Sequence, residues 1–265
     1  MMITGGCDVG SLTSKGVLIK DNRVIGSEII KSKVKPQESA DAVMSAVLEK
    51  CGLSRDEVQY WIGTGYGRDK INFVDETLSE IACHGKGAKW LLPATRTVID
   101  IGGQDAKTFK IDENGHVERF ITNDKCASGT GRFLEVMAKV LGLEMEEMGR
   151  LSAKAASPVT FAASCTVWAQ ADVIKYLNSG YNIEDIAAGI NNAMANRVAV
   201  LVSTIKAEKE ICMTGGVAKN AGVVNALEKL IGQKIRRIRK EDPQLAGAIG
   251  AALYAGEKLK QEKPI

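Results

Sequence analysis

The chain of 265 residues is 45% hydrophobic, and its 35 Lys and Arg residues nearly balance its 32 Asp and Glu residues. This balance argues against a nucleic-acid partner, and no apolar run reaches the roughly 18 residues that a membrane span requires. The N-terminus begins directly with strand-like sequence and shows no signal peptide, so we expect a cytoplasmic protein whose six cysteines are reduced.

The first elements of the chain form a pattern that recurs later. Residues 7–19 predict a strand, a polar turn and a second strand, and residues 99–111 repeat this order with Asp, Gly and Lys in the same places. The repeat indicates internal duplication. Strand hairpins followed by helices predict an α/β protein with two related halves and mixed sheets.

Helical and strand periodicity gives the remaining elements. In the first half, we predict helices over 39–51 and 76–87 and a strand over 58–62. In the second half, the predicted helices are 129–141, 166–178, 183–202, 220–231 and 244–260. A strand is predicted over 210–213, and the basic stretch 234–240 could form another, whose face is either solvated or docks an acidic redox partner.

The first polar turn, from Asp8 to Lys15, has the residue types that bind a phosphate group. Gly10 lets the backbone approach an anion, so that successive amides can bind phosphate oxygens. Asp8 is a candidate to hold Mg²⁺ through water. Further candidate donors are Ser11, Thr13, Ser14 and Lys15. An ordinary polar β-turn is the alternative interpretation.

The second polar turn, Asp100-Ile-Gly-Gly-Gln-Asp105, strengthens the phosphate interpretation because it repeats the first. Asp100 is a second Mg²⁺ candidate, and Gln104 could orient a water molecule at a γ-phosphate, as a glutamine does in GTPases. The other candidates for binding the nucleotide are Gly102, Gly103 and Asp105. Two such turns facing each other across a cleft would bind the phosphates of ATP.

A third glycine turn, from Met213 to Ala218, lies between a predicted strand and a predicted helix. Gly215 and Gly216 would allow adenosine to approach closely, although tight packing of the strand on the helix is the alternative. The chain contains neither a P-loop motif nor a Gly-x-Gly-x-x-Gly motif at its first helix, so it matches neither of those nucleotide-binding signatures.

Two cysteines, Cys126 and Cys165, each stand just before a predicted helix. Helix N-termini have partial positive charge and free N–H groups, which stabilise thiolates. Two chains related by a twofold axis would offer the four thiolates that a 4Fe–4S cluster requires. A buried or helix-capping cysteine is the alternative. Cys7 and Cys212 fall within strands, and we expect them in the core.

These motifs resemble those of the ATP-dependent activators of 2-hydroxyacyl-CoA dehydratases and the ATP-binding subunits of benzoyl-CoA reductases. The resemblance covers essentially the whole chain. Its strongest stretches are residues 64–68, 98–107, 123–134, 164–167 and 247–254. It implies an actin-like ATPase fold, with one subdomain over 1–95 completed by the helix at 244–260 and a second over 96–243.

The resemblance also implies cofactors and partners. These are ATP, Mg²⁺ and one 4Fe–4S cluster per homodimer, held by Cys126 and Cys165 of each chain. Reduced ferredoxin or flavodoxin would be the electron donor, and an iron–sulfur CoA-ester dehydratase or reductase would be the acceptor. The chain departs from the family pattern after Cys165, where Trp168, Gln170 and Asp172 stand.

The sequence predicts a mechanism in which the turn at Gln104 senses the γ-phosphate and passes the change through the adjacent hairpin to the helix after Cys126. A small-molecule kinase with the same nucleotide fold is the main alternative function. A chaperone-like or scaffolding nucleotide module is another. Iron in the purified protein would distinguish the electron carrier from both.

Overall fold

The computed structural model describes residues 2–123, 127, 129–161 and 165–262. These residues form two compact units. Unit 1 takes in the described residues of Met1–Val98, Ile111–Glu118 and Ile238–Ile265, and unit 2 takes in those of Ile99–Lys110 and Arg119–Arg237. Among the helices of the described residues, none combines the length and apolar content needed to cross a membrane.

Unit 1 contains a five-stranded sheet. Its strands are β1 (Ile3–Val9), β2 (Thr13–Lys20), β3 (Arg23–Lys31), β4 (Tyr60–Thr64) and β5 (Glu76–Thr77). The spatial order is β3-β2-β1-β4-β5, with β1, β2 and β3 antiparallel and β4 parallel to β1. Every residue of β1 is buried, as expected for a central strand with both faces covered.

Two helices follow strands of this sheet: α1 (Pro36–Cys51) and α2 (Glu80–Leu91). Pro36 starts α1, where its missing N–H leaves no hydrogen bond unmade, and Gly52 ends it in the left-handed conformation. The inner face of α1 buries Val43 and Val47 in a core that includes Trp61.

The second sheet also has five strands. They are β6 (Thr97–Ile101), β7 (Ala106–Ile111), β8 (Val117–Asn123), β9 (Ile211–Thr214) and β10 (Ile235–Arg236). Their order is β10-β9-β6-β7-β8, so β6 and β9 are neighbours although more than 100 residues of chain separate them. As a result, the ends of β6 and β9 bring the second and third glycine turns to one edge of the sheet.

The helices that follow complete the fold. They are α3 (Gly131–Leu141), α4 (Met145–Leu151), α5 (Thr166–Asn178), α6 (Ile183–Ile205), α7 (Ala221–Ile231) and α8 (Ala246–Glu262). The core of unit 2 takes side chains from α3, α5, α6 and α7, and its large members include Leu134, Met137, Ile186 and Leu227. Cys7 and Cys212 are buried in β1 and β9, as predicted.

Most predicted helices begin and end within three residues of the bounds found, but two predictions differ from the structure and one helix was not predicted. The helix predicted over 76–87 begins at Glu80, because Glu76 and Thr77 pair with β4 as a strand. The strand predicted over 234–240 is limited to Ile235–Arg236. The short helix α4 was not predicted.

Candidate functional site

The first glycine turn lies between β1 and β2 in unit 1. The N–H of Gly10 donates to the carbonyl oxygen of Thr13 at 3.1 Å, which closes the turn. Ser32 on the loop after β3 supports it, because its hydroxyl donates to the Gly10 carbonyl at 2.7 Å and lies 2.8 Å from the hydroxyl of Ser14. Ser11 and Thr13 are partly exposed, whereas Ser14 is buried. The sequence alone did not single out Ser32.

The carboxylate of Asp8 is buried next to this turn, with 1% of the residue exposed. Its Oδ2 pairs with the ammonium group of Lys15 at 3.2 Å, while its Oδ1 has no hydrogen-bond partner in the described part of the chain. Glycines lie against both oxygens. A Cβ at Gly65 would overlap Oδ1, and one at Gly247 would lie 2.9 Å from Oδ2. Sequence reasoning missed these two glycines.

An unpaired buried carboxylate oxygen is costly unless a ligand satisfies it. The Lys15 ammonium group neutralises the negative charge of Asp8. Within the described residues, Asp8 Oδ1 keeps its full capacity to accept a hydrogen bond. Such an atom fits a water molecule of a hydrated Mg²⁺ ion, because Mg²⁺ keeps several of its waters in proteins.

The second glycine turn, between β6 and β7 in unit 2, closes in the same way. The N–H of Gly102 donates to the carbonyl oxygen of Asp105 at 3.0 Å. Lys107 pairs with the carboxylate of Asp105 at 2.6 Å. Gln104 at the tip is exposed, and its side chain makes no hydrogen bond with a described residue. It is therefore free to contact a ligand.

Asp100 is buried at the end of β6 and has a different set of neighbours from Asp8. The hydroxyl of Thr214, the last residue of β9, donates to Asp100 Oδ1 at 2.8 Å. Gly215 follows with a positive φ of 81°, and a Cβ there would overlap the carbonyl oxygen of Ile101. The close approach of β6 and β9 therefore requires glycine at this position.

The fourth strand of each sheet, in chain order, ends at a threonine that a glycine follows, which extends the internal repeat. Thr64-Gly65 closes β4 in unit 1, and Thr214-Gly215 closes β9 in unit 2. In each unit the glycine has a positive φ and lies against the carboxylate of the buried aspartate, Asp8 or Asp100. The glycine after the fourth strand is thus a structural part of the turn in each unit.

The second turn is bonded directly to α3. The N–H of Gly131 donates to the Gly102 carbonyl at 2.8 Å, and that of Arg132 donates to the Gly103 carbonyl at 2.9 Å. These are N–H groups of the first turn of α3, which have no partner within the helix. A displacement of the turn therefore reaches α3 through two backbone hydrogen bonds rather than through the hairpin of β7 and β8 alone.

Cys165 lies at the N-cap position of α5 and is exposed. The next residues of the helix expose large apolar side chains, with Val167 at 71% and Trp168 at 66%. Ala169 and Val173 on the opposite face are buried in the core of unit 2. Cys126 lies outside the described residues.

The buried thiols differ from Cys165 in their surroundings. Burial raises the pKa of Cys83 to about 12, and burial together with the charge of Asp8 raises the pKa of Cys7 well above its ordinary value. A metal is bound by the thiolate form, so these two cysteines are poor ligands. Among cysteines of the described residues, only Cys165 is exposed.

The structure thus gathers the predicted site residues into three groups. Unit 1 brings together Asp8, Gly10, Ser11, Thr13, Ser14 and Lys15. Unit 2 brings together Asp100, Gly102, Gly103, Gln104, Asp105, Gly215 and Gly216 at one edge of its sheet. Cys165 stands apart from the turns in sequence and begins α5.

Residues 6–255 match the model of the BadF/BadG/BcrA/BcrD ATPase family. The chain is 43% identical to a 2-hydroxyisocaproyl-CoA dehydratase activator of Clostridioides difficile, over 99% of this chain and 98% of the relative. It is 34% identical to one component of the benzoyl-CoA reductase of Thauera aromatica, over 98% of this chain and 96% of the relative.

Solved structures agree with these relatives. The activator of the 2-hydroxyisocaproyl-CoA dehydratase from Clostridium difficile with bound ADPNP superposes with a TM-score of 0.93 at 43% identity, covering 100% of this chain and 99% of that one. A ROK family glucokinase from Streptomyces griseus gives a TM-score of 0.55 at 14% identity, covering 96% of this chain and 99% of that one, which shows a shared fold alone. The expected actin-like fold, shared with sugar kinases, is thereby confirmed.

Proposed function

Because this chain belongs to the BadF/BadG/BcrA/BcrD ATPase family, we propose that it is an ATP-driven activator that donates single electrons at low potential to an iron–sulfur enzyme. Two backbone hydrogen bonds carry this proposal: those that join Gly102 and Gly103 to the first turn of α3. They connect a phosphate-type turn to the helix that follows Cys126, and thereby link nucleotide state to the region of one candidate cluster ligand.

In this proposal, ATP is bound through the glycine turns of both units. Gly10 and Gly102 close the turns and let the backbone approach the phosphates, and N–H groups at the tips of the turns, such as that of Gly103, donate to phosphate oxygens. Ser11, Thr13, Ser14 and Lys15 add further donors. Asp8, Asp100 and Asp105 orient the waters of Mg²⁺, which neutralises phosphate charge when bound. Gly215 and Gly216 leave room for adenosine, and Gln104 positions the attacking water.

Hydrolysis changes the groups that the second turn contacts. Loss of the γ-phosphate removes a hydrogen-bond acceptor from the turn at Gln104, and the turn relaxes. Because Gly102 and Gly103 are bonded to α3, the N-terminus of α3 follows. This is a two-state switch whose populations depend on the bound nucleotide.

Cys126 and Cys165 of each chain hold one 4Fe–4S cluster between two copies of the protein. Cys165 fits this role because it is exposed at a helix N-terminus, where partial positive charge stabilises thiolates. The cluster supplies one-electron redox chemistry. The exposed side chains of Val167 and Trp168 favour a second protein surface beside it.

The acceptor is an iron–sulfur CoA-ester dehydratase, in keeping with the similarity to a dehydratase activator at 43% identity. A benzoyl-CoA reductase or another such reductase is the second candidate, favoured by the similarity to a reductase component at 34% identity. Reduced ferredoxin or flavodoxin is the proposed donor. A small-molecule kinase is less favoured, since the glucokinase shares the fold at only 14% identity.

The test is iron and sulfide content, EPR spectra and native mass of protein purified without oxygen, for wild type and Cys165→Ser. We expect about four irons per dimer in wild type, the content of one cubane cluster. Cys165→Ser removes one of two ligands from each chain and should lose most of this iron while keeping ATP binding.

Cys51→Ser provides the matched control, because this half-buried thiol lies at the end of α1 in unit 1. It should keep wild-type iron and wild-type native mass. Wild-type protein that is free of iron after anaerobic purification and cluster reconstitution, yet hydrolyses ATP, would overturn the electron-transfer function.

A further inference from the structure

Unit 2 contains a cavity of about 700 Å³ between α6, α7 and the turn after α4. A second cavity of about 380 Å³ adjoins it and shares the lining residues Pro158, Asn192, Ala226 and Lys229. Each volume lies within the roughly 300–1,000 Å³ of small-molecule sites. None of the described residues that line them belongs to a glycine turn.

A buried amide beside the first cavity has a donor whose identity the hydrogen bonds fix. The N–H of Val223 donates to Asn220 Oδ1 at 3.1 Å, so the other atom of that amide is the donor Nδ2. Asn220 Nδ2 in turn donates to Asn191 Oδ1 at 3.2 Å. Because the backbone N–H can only donate, each amide orientation is set, and Asn191 is left with its Nδ2 unused.

Asn191 is 1% exposed, and its Nδ2 has no hydrogen-bond partner in the part of the chain that the structure describes. This atom lies against Gly222, so closely that a Cβ at Gly222 would overlap it. Both residues line the cavity. A buried donor without a partner is unfavourable, and a ligand that accepts a hydrogen bond from it would recover this free energy.

Two further side chains specify what kind of ligand fits. Gln233 lines the same cavity, and its Oε1 is a buried atom without a partner in the described residues. Lys229 lines both cavities and forms no ion pair with a described residue, whereas the neighbouring Lys234 is paired with Glu228 at 2.9 Å. Among the described residues that line it, the site therefore offers an amide donor, an amide acceptor and one lysine without an ion pair.

The adjoining cavity has a different character. Val159, Phe161 and Leu230 line it, and Leu230 is 49% exposed. A ligand that extends from the amide groups past Lys229 would cover these apolar side chains. The combined groove thus suits a molecule with an amide, an anionic group and a short aliphatic portion.

We propose that unit 2 has a second ligand site, at this groove, for a small anion that carries an amide group. The carbonyl oxygen of the ligand amide accepts from Asn191, its N–H donates to Gln233, and its anionic group binds Lys229. The anion could be a carboxylate, as in an N-acylated amino acid, or a phosphate, as in a phosphopantetheine arm.

The test uses N-acetylglycine and 4′-phosphopantetheine as probes in ligand-observed NMR titrations of the intact protein, with and without saturating Mg-ADP. We expect saturable binding of at least one probe that Mg-ADP does not displace, and the tighter probe identifies the anion. Lys229→Gln should raise its Kd at least about tenfold, the effect of losing a charged hydrogen bond. Asn191→Ser should also raise the Kd of the same probe.

Lys139→Gln is the matched control, since Lys139 is exposed in the last turn of α3 as Lys229 is in the last turn of α7. The Kd of the Lys139→Gln variant for the tighter probe should equal that of wild type. Lys229 is exposed, so its variant tests the site even if Asn191→Ser folds poorly. The site is disproved if neither probe binds, if Lys229→Gln leaves the Kd unchanged, or if Mg-ADP abolishes binding.

Discussion

Asp8 and Asp100 occupy matching positions in the two units, yet their carboxylates have different partners. Asp100 accepts a hydrogen bond from Thr214, which fixes one of its oxygens within the protein. Asp8 is paired with Lys15 through one oxygen and leaves the other without a partner in the described residues. The two matching aspartates thus differ in what they can offer a ligand, and Asp8 has the greater free capacity to accept a hydrogen bond.

Replacing Asp8 with Asn should lower ATPase activity at least about a hundredfold, a loss typical of removing one group that stabilises the charge of a transition state. Asn has the same shape and can still accept from Lys15, so the fold should be retained. Steady-state ATPase assays over a range of Mg²⁺ concentrations measure the effect, and circular dichroism checks the fold.

Asp69→Asn is the control for this substitution. Asp69 is an exposed carboxylate in unit 1, with 75% of its side chain accessible and Arg68 as its partner at 3.7 Å. It should keep wild-type activity. Equal ATPase activity for Asp8→Asn and Asp69→Asn would rule out a role for Asp8 at the phosphates.

At the level of elements, periodicity predicted what local sequence determines and failed where distant pairing decides. Glu76 and Thr77 became a strand because β4 offers them backbone hydrogen bonds, which a local pattern does not contain. Ile235 and Ile238 are three residues apart, so a strand cannot bury both on one face, and β10 is correspondingly short. The spacing of Met145 and Met148 in α4 was a usable signal that was overlooked.

For the candidate nucleotide site, too, the sequence predicted local features and missed contacts between distant residues. Both polar turns could be found from sequence, because each consists of adjacent residues. Gly65 and Gly247 could not be assigned to Asp8, since they approach it from 57 and 239 residues away along the chain. The Thr-Gly pair at the ends of β4 and β9 was visible in the sequence and would have extended the repeat.

The contact between the second turn and α3 predicts the effect of adding a single methyl group at Gly131. A Cβ at Gly131 would lie 3.0 Å from the Gly102 carbonyl oxygen, so Gly131→Ala must displace the turn by a few tenths of an ångström. We expect ATP hydrolysis to continue while electrons delivered per ATP fall about tenfold, because small errors of position are costly in catalysis. Parallel assays of phosphate release and acceptor reduction measure this ratio.

Gly142→Ala, at the other end of α3, separates coupling from stability. Gly142 has a positive φ of 67° and open space around it, so Ala there is strained but meets no neighbour. This variant should lower the free energy of unfolding by about 1 kcal/mol and leave the ratio of electrons to ATP unchanged. An unchanged ratio in Gly131→Ala would instead remove α3 from the proposed switch.

For the molecule as a whole, buried thiols predict how stability depends on pH. Burial raises the pKa of Cys83 from 9.0 to about 12 and also raises that of Cys7. Above about pH 9 the unfolded chain releases these protons while the folded chain retains them. Stability that is fully present below pH 9 should therefore fall, by about 1.4 kcal/mol per pH unit for each such thiol.

Urea unfolding under anaerobic conditions at pH 8, 9 and 10 measures this dependence. Cys83→Ala, which removes one of the two thiols, should show a shallower decline above pH 9 than wild type. A free energy of unfolding that stays constant from pH 8 to pH 10 would contradict the assignment of these thiols as protonated in the folded state.

The attachment of α3 to the second turn also has a mechanical consequence. Leu134, Met137 and Leu141 hold the body of α3 in the core of unit 2, while its first turn is bonded to the Gly102–Gly103 segment. Its 11 residues form a rigid helix about 16 Å long. A 1 Å displacement of its first turn would therefore tilt the helix axis by only about 3 to 4 degrees. A tilt of this size breaks no helical hydrogen bond, so the proposed switch could return to its starting state after every ATP.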